Sequence, residues 1–216
     1  GIDGVYSNPA GVAFLPNGLH ISFNVQNAYQ TRTINSGLTI PAQQGSPYHQ
    51  PFKLNGGNKD GIKRFKGEAS APFIPSFQIA KNYDKWGFQM GFGIVGGGGK
   101  ATFNGGLPSF ERQIAMIPGM LASLGRTTTE PGYSVSSYMH GQQYDFGLQL
   151  GATYKINDKL AVYGGARFNY IYNKYEGNIV NISANIGGKM VNLHDYFGTK
   201  ATQFADRYLD CTQRGW

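Results

Sequence analysis

The residues that could do catalytic chemistry are few and widely spaced. The four histidines, His20, His49, His140 and His194, lie in different segments without the spacing of a metal site. A single cysteine, Cys211, excludes an internal disulfide and a cysteine-rich metal centre. The sequence also lacks the Gly-x-Ser-x-Gly motif of serine hydrolases. We therefore expect a protein that is not an enzyme and holds no cofactor or metal.

A run of four glycines, Gly96, Gly97, Gly98 and Gly99, precedes a lysine and resembles the end of a phosphate-binding loop. The match fails at both ends, because an isoleucine stands at the first glycine position and an alanine replaces the magnesium-binding serine or threonine. Glycine inside a strand loses more conformational entropy on folding than other residues and has no side chain to pack. Two interpretations stay open, a flexible strand end or a functional kink.

Charge indicates which partners to expect. The net charge is +7 and the pI is about 9.4, but the basic residues are scattered and never form the run that is typical of nucleic-acid binding. We expect no nucleic-acid partner, whereas an anionic membrane surface or a carboxylate ligand fits the charge. Arg167 and Lys174 are candidate ligand-binding cations. The alternative is that Arg167 pairs with a carboxylate, for which Glu68 and Asp145 are candidates.

Strict alternation of apolar and polar residues dominates the middle of the chain, from Tyr144 to Tyr154. One side is aromatic or aliphatic and the other is small or hydrogen-bonding, which is the period of a strand. No second layer that would cover the apolar side is visible. No stretch reaches the roughly 20 apolar residues of a spanning helix. The pattern predicts a strand with lipid on its apolar side and water or cargo on the other.

Five long strand candidates share this pattern, and each exceeds the usual length of a globular strand. They cover residues 19–33, 62–81, 85–103, 144–154 and 160–175. In the second candidate we expect one apolar face, formed by Phe65, Ala69, Ala71, Phe73, Phe77 and Ile79. The links are short at residues 82–84 and 156–159 and long at about residues 34–61, 104–143 and 176–216. Short turns and long loops on opposite ends predict an all-β fold, a transmembrane antiparallel β-barrel.

Two of the long loops have apolar residues at helical spacing. The first set is Phe110, Ile114, Ile117, Leu121 and Leu124, and the second is Leu193, Phe197, Ala201, Phe204 and Tyr208. These helices either pack their apolar stripes on the barrel rim or form a groove that receives hydrophobic cargo.

The N-terminal segment contains the motif Asn8-Pro9-Ala10, followed by a long amphipathic strand. Together with Lys85-Trp86-Gly87-Phe88 and the glycine run, it resembles the FadL/TodX family of outer-membrane transporters. The resemblance implies a barrel of about 14 strands, of which about five lie here. Residues 1–17 would be part of a hatch that plugs the barrel, and residues 18–216 the first part of the barrel. We expect the chain to be the N-terminal portion of a longer protein.

The resemblance also implies a function, which is passive uptake of long-chain fatty acids or aromatic hydrocarbons across the outer membrane of a Gram-negative bacterium. Loop helices would capture the ligand, the Asn8-Pro9-Ala10 hatch would rearrange, and cargo would leave sideways through a kink at Gly96 to Gly99. The expected partners of this monomer are a fatty acid, hydrocarbon or detergent, membrane lipid and lipopolysaccharide. The alternatives are an adhesive or structural barrel that binds a partner through its loops, and a porin for polar solutes.

Overall fold

The computed structural model describes residues 1–37, 54–58, 60–126 and 131–216. These residues form one antiparallel sheet with few helices, which confirms the prediction of a predominantly β chain. The strands are β1 (Gly18–Gly37), β2 (Ile62–Asn82), β3 (Trp86–Phe103), β4 (Tyr133–Asn157), β5 (Leu160–Ile186), β6 (Lys189–Asn192) and β7 (Arg207–Gly215). The α-helices are α1 (Gly4–Ser7), α2 (Pro108–Ala115), α3 (Ile117–Ser123) and α4 (Leu193–Phe197), and 3₁₀ helices cover Pro9–Phe14 and Thr202–Phe204. Among the described residues, no helix has the length and apolar character needed to span a membrane.

Strand order follows the chain from β1 to β6, and β7 pairs with β5 beside β6. The five long strands are confirmed, but two more exist and the long links are shorter than predicted. β4 already begins at Tyr133 and β5 continues to Ile186, because the main-chain ladder between them persists where the side chains stop alternating. The second loop helix is also shorter than predicted, since Tyr208 lies in β7.

Both short turns are confirmed. The Asn157 side-chain oxygen accepts hydrogen bonds from the amides of Lys159 (2.8 Å) and Leu160 (2.9 Å), which closes the turn from β4 to β5. In the turn from β2 to β3, the Tyr83 amide donates to the Trp86 carbonyl at 2.7 Å. These turns join β2 to β3 and β4 to β5, and both short connections lie at one end of the sheet. We call this end the lower end and the opposite end the upper end.

The two faces of the sheet differ sharply. We call the face that carries the N-terminal segment the inner face and the opposite one the outer face. Large apolar side chains of the outer face are exposed, including Phe23 at 64% and Phe168 at 61%. On the inner face the amides of Gln78, Gln89 and Gln149 are buried. Polar groups are therefore covered and apolar groups exposed, which reverses the usual arrangement of a soluble sheet.

A bulge changes which residues of β2 lie on the outer face. The register shifts between Gln26 and Ala28 of β1, so two residues of β2 stand opposite one of β1. Above the bulge, Phe65 and Ala71 are buried on the inner face, whereas Phe73 is exposed on the outer face. The prediction that the apolar residues of this strand share one face is wrong, because one extra residue reverses the alternation.

Hydrophobic packing on the inner face occurs at two places. At the upper end, α2, α3 and α4 cover the strands, and the buried residues are Leu54, Phe65, Ile114, Ala115, Ile117, Leu121, Tyr133, Ile182, Ala184 and Leu193. Lower down, a small cluster joins Val5 and Val12 of the N-terminal segment to Ala80 of β2. The stretch of sheet between these two clusters contains the candidate site.

Candidate functional site

The Asn8-Pro9-Ala10 motif forms the start of the 3₁₀ helix in the N-terminal segment. The Asn8 side chain accepts a hydrogen bond from the Gly11 amide at 3.2 Å, and Pro9 occupies the first helical position, where no amide donor is needed. The motif is therefore a helix start. Its predicted rearrangement as a hatch stays a prediction.

Three amide side chains of the sheet hold this segment through its backbone carbonyls. Asn82 donates to the Val12 carbonyl at 2.7 Å and Gln89 donates to the Pro9 carbonyl at 2.9 Å. Gln149 donates to the Val5 carbonyl at 2.5 Å. In addition, the Tyr6 hydroxyl donates to the carbonyl of Gly147 at 2.7 Å. These four hydrogen bonds join neutral groups, and each contributes about 1 kcal/mol.

Arg167 lies on the inner face, as predicted, but it contacts the N-terminal segment. Its guanidinium donates to the side-chain oxygen of Gln149, with a distance of 2.9 Å from Nε, and to the carbonyl of Tyr6 at 3.4 Å. It also lies 5.1 Å from the centre of the Tyr6 ring. The expected carboxylate partners are wrong, since Asp145 contacts Asn169 and Glu68 lies on the outer face. Arg167 therefore positions the N-terminal segment.

Lys174 lies on the outer face, since it alternates with Arg167 along β5. Its ammonium group forms an ion pair with Glu176 of the same strand. It does not line the cavity described below, because residues an odd number apart on a strand face opposite sides. Its predicted role as a ligand-binding cation stays a prediction.

The glycine run coincides with an interruption of the ladder between β2 and β3. Paired residues end at Ser70 and Lys100 and resume at Ser76 and Gly93. On its other side, β3 pairs with β4 through two irregularities, one on each side of the glycine pair 96–97. The sheet therefore lacks regular main-chain pairing over about five residues of β2 and six of β3.

Residue types on both strands explain the interruption. Pro72 and Pro75 of β2 have no amide hydrogen to donate to the ladder. In β3, Gly97 and Gly98 have φ values of 71° and 92°, which side chains rarely tolerate. A β-carbon on Gly97 would collide with the carbonyl of Gln143, so only glycine fits there. The kink interpretation is supported over that of a flexible strand end, although its role as an exit stays a prediction.

A cavity of about 480 Å³ adjoins this interruption. Its floor on the inner face is made of small residues that stand directly opposite one another across three strands, Ala69, Ala101 and Gly141. Gln30 continues the row on β1 and Tyr175 on β5. The remaining lining residues are Ala28, Arg32, Gly67, Glu68, Ser70, Ala71, Ile74, Gly97, Gly99, Lys100, Phe103, Gln142 and Gln143.

Sequence reasoning did not find this cavity, because its residues come from five strands. The signal that could have indicated it is the clustering of alanine and glycine at alternate positions of β2 and β3, such as Gly67, Ala69 and Ala71. Small residues leave space above a sheet where larger ones would fill it.

The candidate ligand-binding residues of the loop helices lie in two environments. Ile114, Ile117, Leu121 and Leu193 are buried in the upper cluster, so they pack on the sheet as the alternative held. Three further candidates remain partly accessible: Phe110 is half-buried, and Phe197 stacks on Phe204 with ring centres 5.4 Å apart.

A polar network fixes α2 to the sheet. The buried carboxylate of Glu111 accepts hydrogen bonds from Lys63 at 2.8 Å and from the Tyr133 hydroxyl at 2.6 Å. That hydroxyl also accepts from the Asn55 amide at 2.7 Å. Burial, reinforced by the bond to Glu111, raises the pKa of Tyr133 well above its ordinary value of 10.0, so the hydroxyl stays a donor. This network therefore connects α2 to β2, to β4 and to the backbone of Asn55.

Within the described ranges, no group of three or more histidine, cysteine, aspartate or glutamate side chains is arranged to hold a metal ion. No protein-family profile, curated protein or solved structure matches this chain.

Proposed function

We propose that this sheet is part of the wall of an outer-membrane β-barrel that takes up hydrophobic or amphipathic small molecules. The observation that carries the proposal is the exposed apolar outer face, opposed to a polar inner face that a plug-like N-terminal segment covers. Lipid would replace the missing second layer of the fold. The resemblance to FadL/TodX transporters is consistent with this proposal and stays untested.

The dimensions of the apolar band support membrane insertion. On β4 the outward residues between Tyr154 and Tyr144 are all apolar, and the two tyrosines are ten positions apart. At about 3.4 Å per residue the band is roughly 34 Å long along the strand. A tilt of about 40° reduces this to a height of about 26 Å, close to the apolar band of roughly 25 Å in known barrels.

The ends of the band carry the residue types that mark membrane interfaces. At the lower end Trp86 stands opposite Tyr154, with ring centres 4.8 Å apart. At the upper end Tyr144 stands opposite Tyr172. The next outward row above contains Lys100 and Lys174, so the face becomes charged where headgroups would begin. Aromatic rings at both boundaries of an apolar band are typical of barrel girdles.

The ladder interruption lies at a height that suits lateral release. It extends from Ile94, in the upper part of the apolar band, to Lys100, in the charged row above that band, and the cavity adjoins it from the upper side, with Ala101 in its floor. Cargo in the cavity would then pass between β2 and β3 into lipid without crossing water. Lipopolysaccharide blocks direct entry of such molecules, so a protein path past the polar layer is useful.

The alternatives receive less support. A polar-solute porin needs an open bore, whereas the N-terminal segment is hydrogen-bonded across β2, β3 and β4. An adhesive barrel would not need a cavity beside the interruption in the hydrogen bonding between β2 and β3.

The test compares uptake in Gram-negative cells that carry the protein in their outer membrane with cells that lack it. We expect faster accumulation of radiolabelled oleate or of xylene, with unchanged permeability to sucrose. Increased sucrose entry would favour the porin, and unchanged entry of all three would contradict the uptake function.

A further inference from the structure

We propose that a water molecule is bound between the N-terminal segment and the sheet, where it joins the Asn82 side-chain oxygen to the Thr153 hydroxyl and keeps the Asn82 amide directed at the segment. The inference goes beyond the proposed uptake function and does not depend on it. It gives Thr153 and Gly87 a part in holding the N-terminal segment.

The three amide side chains that hold the segment share one orientation. Each directs its nitrogen at a carbonyl of the segment, so its oxygen needs a donor elsewhere. The Gln149 oxygen meets the Arg167 guanidinium. The oxygens of Asn82 and Gln89 are buried and, among the residues that the structure describes, have no hydrogen-bond partner. Because a buried acceptor without a donor is costly, a bound molecule that donates hydrogen bonds is favoured at these positions.

Asn82 and Thr153 converge over Gly87. Gly87 stands opposite Asn82 of β2 and opposite Thr153 of β4, so the three residues form one row across the inner face. A β-carbon on Gly87 would lie 2.5 Å from Asn82 Oδ1 and 2.5 Å from Thr153 Oγ1. The two oxygens are therefore at most about 5 Å apart, yet they do not bond each other directly. Glycine leaves the space over its α-carbon open to a small molecule.

A water molecule fits this arrangement. At oxygen–oxygen distances of about 2.8 Å, one water bridges two oxygens that are up to roughly 5.6 Å apart. It donates one hydrogen to Asn82 Oδ1 and the other to Thr153 Oγ1, whose own hydrogen is donated to the Gly87 carbonyl at 3.4 Å. Asn82 is 3% exposed and Thr153 is 1% exposed, so a water held here is an ordered one.

A cation fits the same place less well. The side chains of Asn82 and Thr153 are neutral, and Gly87 offers only its backbone. A cation buried among these groups would lack a compensating charge, whereas a water carries none.

The water fixes the direction of the Asn82 amide. With Oδ1 bound to the water, Nδ2 stays directed at the carbonyls of Val12 (2.7 Å) and Leu15 (3.2 Å). If the amide turned over, its oxygen would face these two carbonyl oxygens and both bonds would be lost. Loss of the water therefore weakens the attachment of the segment at Val12 and Leu15.

Thr153→Val tests the proposal, because valine keeps the shape of threonine without its hydroxyl. The readout is maleimide labelling of Val12→Cys in a Cys211→Ser background, since Val12 is buried and its carbonyl is bound by Asn82. We expect severalfold faster labelling in Thr153→Val and the parent rate in Thr153→Ser, which keeps the hydroxyl. Thr31→Val, on the outer face of β1, is the matched control and should label at the parent rate.

A crystal structure of the full chain provides the direct observation. We expect a water at about 2.6–3.2 Å from both Asn82 Oδ1 and Thr153 Oγ1 in the parent protein and in Thr153→Ser, but not in Thr153→Val. The proposal is overturned if the parent protein shows no density there, or an ion with several oxygen ligands at about 2.4 Å. Equal labelling rates in Thr153→Val and Thr31→Val would overturn the role of the water in holding the segment. Each of these outcomes leaves the uptake function standing, because oleate uptake is measured separately.

Discussion

The guanidinium of Arg167 and the side-chain oxygen of Gln149 meet directly across β5 and β4, and this pairing orients the Gln149 amide toward the carbonyl of Val5. This cross-strand pairing is one of the contacts through which the sheet holds the N-terminal segment. The bonds that Asn82 and Gln89 donate to that segment come from neutral amides, each contributing about 1 kcal/mol.

Replacement of Gln149 by leucine should loosen the N-terminal segment, because it removes the donor to Val5 and the acceptor for Arg167. In a Cys211→Ser background, a cysteine in place of the buried Val5 reports the change. We expect maleimide to label this cysteine severalfold faster. Gln30→Leu, on the same face without a bond to the segment, is the control, and equal labelling rates in both variants would contradict the role of Gln149.

Replacement of Ile74 by tryptophan should obstruct the interruption between β2 and β3. Ile74 lines the cavity and packs beside Gly98, so a larger side chain fills the gap. We expect oleate uptake to fall severalfold. Ile79→Trp is the matched control, because Ile79 faces outward on the same strand, opposite Ile21. If both variants take up oleate at the wild-type rate, cargo does not leave by this route.

Replacement of Gly97 by alanine should destabilise the kink by about 1–3 kcal/mol, because a non-glycine residue at its φ of 71° is strained and its β-carbon meets the Gln143 carbonyl. Thermal unfolding followed by circular dichroism measures the loss. Gly164→Ala is the control, since no atom lies within 4 Å of a β-carbon there. Equal melting temperatures for the two variants would show that the positive φ is not required.

Replacement of Glu111 by glutamine should weaken the attachment of α2 by about 2 kcal/mol, because Lys63 then loses its buried charge partner while keeping access to solvent. Hydrogen exchange of the α2 amides measures the change. Arg112→Gln, an exposed neighbour on the same helix, should leave exchange unaltered. Protection that is the same in both variants would mean that apolar packing alone holds the helix.

Trp86 should lie in lipid. In a Trp216→Phe background it is the only tryptophan, and it is 53% exposed at the lower end of the apolar band. We expect its fluorescence to be quenched strongly by lipids brominated near the headgroup and weakly by lipids brominated at the chain end. The absence of quenching by either would place the outer face in water.

Much of the sheet could be predicted from local sequence. Alternation from Tyr144 to Tyr154 determines which side chains share a face, because the strand period is two and no bulge intervenes below Asp145. Asn157 predicts a tight turn because its side chain bonds the amides that follow it. The glycine run also predicts a place where regular pairing fails.

Tertiary structure decided the rest. The bulge beside Gln26 reversed the faces of β2, and no local pattern records how two strands slip against each other. Arg167 became a positioning residue only when cross-strand register placed it beside the N-terminal segment. The sequence by itself determined the strands and their alternation because these depend on neighbours along the chain. The site depends on residues from five strands, which pairing alone brings together.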